Sequence, residues 1–296
     1  MKSGISEIVH IIPLGHEFDR AVRPFDTAAA NHVYLITDSG DAGEGAENLP
    51  PKREYVSRVI RYLKKKHIPA DVVETDFSDM GELLKTIASL IRKEQFFGNK
   101  VYVNMSAAGE LGAAAATLAG MALNAEVYCV HADGYASDAE RAETGVSVCR
   151  TNAVSILPKV DIHLPDDAEL PVLEELYYAD NNVLSASEIS EVVENEPDSV
   201  DTADECFCNI KLCEPVFIGH RCPETPAHLL MSDKELEAER SKRRKVQSRN
   251  LMKVSGMMKR MEEKGYVTNG KFGRKMLYQL TERGMYALIL SGYVDN

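Results

Sequence analysis

The residues best suited to ligand chemistry lie in a short turn, Ser106–Gly109, between an apolar strand and an Ala-rich helix within Val101–Leu123. Small residues at a strand-to-helix turn let a ligand approach the backbone, and the free N–H groups at the helix start favour an anionic or polar group. A nucleotide site begins in this way. A tight turn that serves only helix–sheet packing is the other interpretation.

A second polar loop follows the first apolar segment, Ile5–Leu14. If strands one and four are neighbours, ligands bind beyond their carboxyl ends, where the strand order reverses. The candidate ligand-binding residues are then Gly15, His16, Glu17, Asp19, Arg20, Asn104, Ser106, Gly109 and Glu110. Neither loop contains G-x-G-x-x-G or a P-loop, which argues against an ordinary NAD-dependent dehydrogenase or NTPase.

Apolar strands alternate with amphipathic helices through the first half of the chain, and this alternation indicates a doubly wound α/β fold with a mostly parallel sheet. Strands are predicted at Ile5–Leu14, His32–Thr37, Pro69–Thr75, Lys100–Asn104 and Glu126–His131, with a sixth at Ile162–Leu164. The intervening helices are predicted at Lys52–Lys66 and Met80–Phe96, and after the Ser106–Gly109 turn.

Four motifs resemble the archaeal group of CARF (CRISPR-associated Rossmann fold) regulators that carry a C-terminal winged helix-turn-helix. They are HIIPLGHEFDR after the first strand, YVNMS at the fourth, EVYCVHADGY at the fifth and ETGVSV shortly afterwards. The resemblance implies a Rossmann-like domain, a homodimer and a shared pocket lined by the loops after strands one and four. It also implies a nucleotide-type ligand, typically a cyclic oligoadenylate.

The chain departs from the family pattern in the turn after the fourth strand. Related proteins carry Ser/Thr-Gly-Ser/Thr-Lys there, whereas this chain has Ala107, Ala108 and Gly109, with Glu110 in place of the lysine. A carboxylate repels phosphate, although at a helix start it also complements the helix dipole. Arg20 and Arg23 are the nearby candidates for compensating charge.

The C-terminal part is basic although the whole chain carries a net charge of −12. Between Arg240 and Arg283 there are 14 Lys and Arg residues and three acidic ones, which indicates a polyanion-binding face. A helix at Ser241–Lys264 and a Gly-containing hairpin resemble the winged-helix superfamily. That resemblance implies contacts with double-stranded DNA from Arg243, Arg244, Lys245, Arg249, Asn250, Lys253, Gly273, Arg274 and Lys275.

An acidic, Cys-containing insert at about residues 195–239 precedes the basic helix. Four thiols and His220 lie within 17 residues, so a tetrahedral zinc site is one interpretation. Its cysteines are Cys206, Cys208, Cys213 and Cys222. The gaps do not match the usual C-x2-C pairs, so a loop with incidental thiols is the other interpretation.

Two domains are therefore predicted, a CARF-like ligand-sensing domain at residues 1–166 and a winged helix-turn-helix domain at residues 167–296. No apolar run approaches the ~20 residues of a membrane span, and the N-terminus has no signal-peptide pattern, so we expect a cytoplasmic protein. The predicted function is a dimeric, ligand-responsive transcriptional regulator without a catalytic constellation. The alternatives are an enzyme that cleaves a cyclic oligonucleotide, and a metal or redox sensor acting through the cysteines.

Overall fold

A computed structural model describes residues 6–39, 51–160, 162–195, 254–273 and 275–294. The chain separates into two compact units. The first comprises residues 1–164 and 286–296, and the second comprises residues 165–285. Within the described ranges, every helix is too short or too polar to cross a membrane.

The first unit is built on a six-stranded sheet in the order β3-β2-β1-β4-β5-β8, in which β1 to β5 are parallel and β8 is antiparallel. Its strands are β1 (Ile8–Pro13), β2 (His32–Asp38), β3 (Ala70–Thr75), β4 (Lys100–Asn104), β5 (Glu126–Val130) and β8 (Val154–Ile156). The central strand β1 is buried along almost its whole length, as expected for a parallel strand covered on both faces. The predicted α/β class and the neighbouring positions of strands one and four are confirmed.

The helices of this unit are α1 (Asp19–Val22), α2 (Lys52–Lys65), α3 (Met80–Phe96), α4 (Glu110–Ala122) and α5 (Asp138–Thr144). In α2 the buried residues Tyr55, Val59 and Leu63 recur at helical spacing, and Val59 and Leu63 join the core that contains Val33 and Leu35. The small residues of α4 allow a close approach to the sheet, because a Cβ added at Gly120 would lie 2.3 Å from a methyl group of Val127.

The predicted sixth strand was placed incorrectly. Residues Ile162–Leu164 are not a strand, and the sixth strand is Val154–Ile156, an edge strand whose three residues are all exposed. A short two-stranded sheet, β6 (Gly134–Tyr135) with β7 (Ser147–Val148), was also not predicted. Strands of two or three exposed residues show no hydrophobic alternation, so the sequence contains no periodic signal for them.

The second unit combines helices with a three-stranded antiparallel sheet in the order β10-β11-β9. Its elements are α6 (Leu170–Tyr178), β9 (Val183–Ser185), α7 (Ala186–Asn195), the helical residues 254–263 (α8), β10 (Val267–Phe272) and β11 (Lys275–Leu280). A final helix, α9 (Glu282–Ser291), begins in this unit. The strand β9 was not predicted.

Two local features stabilise this unit. Ser185 and Glu188 form a capping box, since the Ser185 N–H donates to Glu188 (2.7 Å) and the Glu188 N–H donates to Ser185 (3.4 Å). The methionine stripe of α8 is core, because Met257, Met258 and Met261 are buried.

Candidate functional site

The loops after β1 and β4 meet at the point where the strand order of the sheet reverses. The Gly15 N–H donates to the Ala107 carbonyl at 2.8 Å, and a Cβ added at Gly15 would lie 3.6 Å from the Ala108 Cα. A Cβ added at Gly109 would meet no atom within 4 Å, so the start of α4 borders open space. The structure therefore brings the two predicted loops together, with small residues at their contact.

Two acidic residues of the first loop are buried and bound by distant backbone groups. Glu17 accepts hydrogen bonds from the Ser147 N–H (3.1 Å) and hydroxyl (2.8 Å), and Asp19 accepts one from the Cys149 N–H (2.9 Å). Burial raises the pKa of Glu17, while the bonds from Ser147 and the charge of Arg20 oppose this shift. These carboxylates hold the loop against the segment that contains β7.

The ETGVSV segment completes this attachment. The Val146 N–H donates to the His16 carbonyl at 2.9 Å, and the Phe18 N–H donates to the Thr144 carbonyl at 3.1 Å. Gly145 between them has φ +88°, a conformation that favours glycine. The motif therefore fixes the backbone of the loop after β1.

The polar residues at the end of β4 form a buried network. The Asn104 side-chain oxygen accepts from the Ser106 N–H (2.8 Å) and hydroxyl (2.7 Å), and the Asn104 amide donates to the Arg20 carbonyl (3.0 Å). The Ser106 hydroxyl also accepts from the Val130 N–H at 2.9 Å. Asn104 is fully buried and Ser106 nearly so. Both side chains therefore join β4, β5 and α1 to one another.

A buried histidine lies deeper along the same strands. His10 Nδ1 is 3.1 Å from the Tyr128 hydroxyl, and its ring stacks on Tyr102 with centroids 5.0 Å apart. Burial lowers the pKa of His10 to about 4, and a backbone interaction with Ala29 opposes this shift. His10 is therefore neutral at pH 7.

Two arginines bring positive charge to the loop after β1. Arg20 Nη1 donates to the Ser106 carbonyl at 3.2 Å and lies 3.8 Å from Glu17. Arg23 pairs with Asp19 at 3.7 Å and with Asp26 at 3.6 Å. Both guanidinium groups remain partly exposed, and the nearby carboxylates offset part of their charge.

The start of α4 offers backbone donors to a ligand. Its N-cap is Gly109, which has no side chain to accept from the first-turn N–H groups, and Glu110 is exposed. These groups and the helix dipole favour an anion. The Glu110 carboxylate already complements the dipole, so an anionic ligand has to approach a like charge.

The sequence analysis missed a lysine at the same edge of the sheet. Lys52, the first residue of α2, pairs with Asp38 at the end of β2 (2.5 Å) and lies 5.8 Å from the Phe77 ring centroid. Phe77 also approaches the start of α4, since its ring lies 4.0 Å from a Cβ added at Gly112. The polar loop followed by Pro51 was the available signal, but it predicted only a helix start.

A cavity of about 540 Å³ lies elsewhere, against β3 and α3. Its charged lining residues are Glu74, Asp76 and Glu82, and the described part of the chain contributes no lysine or arginine to its lining. This charge disfavours a phosphate, so the cavity is not suited to the predicted ligand class.

Most predicted DNA-binding and zinc-binding residues lie outside the described residues. Gly273 and Lys275 are described: Phe272 pairs with Lys275 across a two-residue turn, and Gly273 has φ +62°. The residues outside are Arg243, Arg244, Lys245, Arg249, Asn250, Lys253 and Arg274, together with Cys206, Cys208, Cys213 and Cys222. Among the residues that the structure describes, no three His, Cys, Asp or Glu side chains could hold a metal ion.

One family model matches part of the first unit. A family model described as "HFX_2341_N:-like, N-terminal" matches residues 8–135. The uncharacterized protein MJ1513 of Methanocaldococcus jannaschii is 29% identical over 122 residues, which cover 40% of this chain and 34% of that protein. The matched part thus spans about a third of the length of this curated relative.

Solved structures give weaker likenesses. Can2 from Sulfobacillus thermosulfidooxidans, in complex with cyclic tetra-adenylate, is 14% identical with a TM-score of 0.36, covering 43% of this chain and 33% of Can2. Enterococcus italicus Csm6, bound to cyclic hexa-2'-fluoro-hexa-dAMP, is 9% identical with a TM-score of 0.36, covering 66% of this chain and 51% of Csm6. At these identities and TM-scores, the likeness does not extend to the ligands or activities of those proteins.

Proposed function

We propose that this protein is a ligand-responsive, DNA-binding transcriptional regulator that acts as a cytoplasmic homodimer. Residues 1–166 would sense a nucleotide-type ligand, with cyclic oligoadenylate as the specific candidate. Residues 167–296 would form a winged helix-turn-helix that binds double-stranded DNA. One observation carries the proposal: two features occur on one chain. In the first unit, Gly15 and the Ser106–Gly109 turn form an edge of small residues suited to a ligand, here called the ligand edge. In the second unit, the order of the described elements is compatible with a winged helix.

The ligand edge supports the sensing role. Gly15 contacts the turn after β4, Gly109 borders open space, and the first turn of α4 presents N–H groups without a side-chain cap. This arrangement suits a phosphate or another anionic group. The four motifs that resemble CARF regulators add the expectation of a cyclic oligoadenylate.

The second unit supports the DNA-binding role. Among the described residues, the order helix, strand, helix, helix and two-stranded hairpin is compatible with a winged helix, and β9 pairs with β11. Lys271 and Lys275 are exposed on the hairpin. Basic side chains on an exposed hairpin suit contact with a DNA phosphate backbone.

The arrangement around Ser106 argues against a serine-dependent nuclease. The Ser106 hydroxyl is buried, donates to Asn104 and accepts from Val130, so it belongs to a structural network and is not exposed to a phosphate. This observation favours a sensor over the enzyme alternative. The metal or redox sensor remains a separate proposal, because its cysteines lie outside the described residues.

Calorimetry and ligand recovery test the proposal together. The full chain is titrated with cyclic tetra-adenylate and cyclic hexa-adenylate, and the bound material is then recovered and analysed by mass spectrometry. We expect binding of at least one of them and recovery of the intact ring. A linear product would favour the enzyme, and no binding would remove cyclic oligoadenylate as the ligand.

DNA binding is measured separately, by selection from random duplexes followed by fluorescence anisotropy with and without the bound nucleotide. We expect a selected sequence whose affinity changes when the nucleotide is present. Uniform weak binding to all duplexes, unaffected by nucleotide, would contradict a regulatory role.

A further inference from the structure

Lys52 brings a positive charge to the carboxyl edge of the sheet from an element outside the two predicted loops. Its ammonium is paired with Asp38, and their side chains are 26% and 18% exposed, so the pair is only partly shielded from solvent. Lys52 also lies against the face of the Phe77 ring, which keeps its side chain at this edge. The charge is therefore held in place and remains accessible to a ligand.

His16 contacts the same helix as this lysine, because its ring packs on Tyr55, one helical turn after Lys52. Burial lowers the pKa of His16, and the charge of Lys52 lowers it further, so the imidazole is neutral at pH 7. Its ring packs edge-on against Tyr55 of the same helix, with centroids 5.6 Å apart. His16 Nε2 is buried and has no hydrogen-bond partner within the described part of the chain.

A buried nitrogen without a partner is unfavourable, and a ligand atom can satisfy it. An anionic oxygen can satisfy both groups, because it pairs with Lys52 and accepts from His16 when the imidazole carries its proton on Nε2. The backbone of His16 is fixed by the Val146 N–H, so the imidazole is held on a rigid loop.

We infer that Lys52 and His16 form an anion-binding subsite that takes a phosphate group of the ligand. This inference rests on the proposed function, because it assigns the charged contact within the same ligand edge. Lys52 then supplies the cation that is absent from the turn after β4, where Glu110 stands. Asp38 competes with the phosphate for Lys52, and so sets how tightly the subsite binds an anion.

Substitutions of the subsite residues, compared with substitutions in ion pairs elsewhere in the first unit, test the subsite. Lys52→Met and His16→Gln each remove one contact, and Asp38→Asn releases Lys52 from its carboxylate. Lys66→Met and Glu126→Gln are matched controls, because Lys66 pairs with Asp26 (3.1 Å) near the other end of the same helix and Glu126 pairs with Lys159 (3.3 Å) at the start of β5. Each full-length variant is checked by thermal unfolding and then titrated with cyclic tetra-adenylate, cyclic hexa-adenylate and inorganic pyrophosphate.

We expect Lys52→Met to weaken binding of the cyclic oligoadenylate at least ~tenfold, His16→Gln to weaken it less, and Asp38→Asn to tighten it. Both control variants should bind as the wild type does. Pyrophosphate should shift the NMR signals of the His16 ring in the wild type and not in Lys52→Met.

The outcomes separate the subsite from the proposed function. If Lys52→Met binds cyclic oligoadenylate as well as Lys66→Met does, the subsite is wrong while nucleotide sensing stands. If pyrophosphate shifts the His16 signals but neither cyclic oligoadenylate binds, the subsite stands and the nucleotide assignment fails. An unchanged His16 spectrum with every probe overturns the subsite.

Discussion

Gly145 lies directly against the carbonyl group of His16, and a Cβ added at position 145 would be 2.2 Å from that oxygen. The neighbouring Val146 N–H donates to the same oxygen. The contact joins the ETGVSV motif to the loop after β1, so a glycine far along the chain determines where His16 lies.

Gly145→Ala should therefore destabilise the protein by about 2 kcal/mol or more, because the new methyl group meets a backbone atom at a positive φ. It should also weaken ligand binding, since the backbone at His16 has to move. Gly134→Ala is the control, because a Cβ there meets no atom within 4 Å. Urea unfolding measures the free energy of unfolding of both variants. Equal values would show that the backbone at His16 accommodates the methyl group without loss of stability.

Glu110→Lys should tighten binding of an anionic nucleotide by about 1 kcal/mol or more, because it replaces a like charge with an opposite one at the start of α4. Glu82→Lys makes the same change in the first turn of α3 and should leave affinity unaltered. Calorimetry at two salt concentrations provides the measurement. Weaker binding by Glu110→Lys would place the phosphate away from this helix.

His10 should make the protein sensitive to acid. Its pKa is about 4 in the folded protein and near 6.5 when unfolded, so the unfolded state binds more protons between these values. Stability is then lost as pH falls from about 6.5 towards 4, by up to about 3 kcal/mol.

The variant His10→Gln, which keeps a hydrogen-bonding group near Tyr128, should flatten this part of the pH dependence. The control is His131→Asn at an exposed histidine, which should retain the wild-type profile. Urea unfolding at pH 7 and pH 4.5 gives the comparison. The same loss of stability in His10→Gln as in the wild type would assign the acid sensitivity to other groups.

Lys275→Ala should weaken binding to all DNA sequences alike and lower the slope of log K against log salt by about one, the contribution of a single phosphate contact. Lys100→Ala removes an exposed lysine of β4 in the first unit and should leave the slope unchanged. Fluorescence anisotropy between low and moderate salt measures both slopes. If Lys275→Ala keeps the full slope, this residue of the hairpin does not contact the DNA backbone.

The sequence predicted the parts of the fold that repeat over many residues. Buried parallel strands and amphipathic helices produce periodic patterns, so the neighbouring positions of β1 and β4 were predictable from the sequence. The capping box at Ser185 was equally predictable, because both of its partners lie within four residues. Edge strands such as β8 have too few residues, and too much exposure, to show a pattern.

The roles of the individual site residues depend on contacts that sequence spacing does not reveal. Glu17 and Asp19 are residue types that a ligand-binding loop would also contain, so the sequence does not show that they serve the fold. Their partners Ser147 and Cys149 follow 130 residues later. Lys52 is similar, since its pairing with Asp38 arises from the packing of α2 against the sheet. The edge of the site was predictable from the order of the strands, and the tertiary contacts show which of its residues brace the loops.

The pairing of β9 with β11 has a consequence for the order in which the second unit folds. Ser185 lies opposite Leu277, so the ladder closes only after the hairpin has been synthesised. Until then the apolar faces of α6 and α7 lack this sheet, while the five parallel strands of the first unit are already complete. Because domains fold as units during translation, we expect the parallel sheet of the first unit to form first on the ribosome and the second unit to fold late. Residues 286–296, which belong to the first unit, join it last.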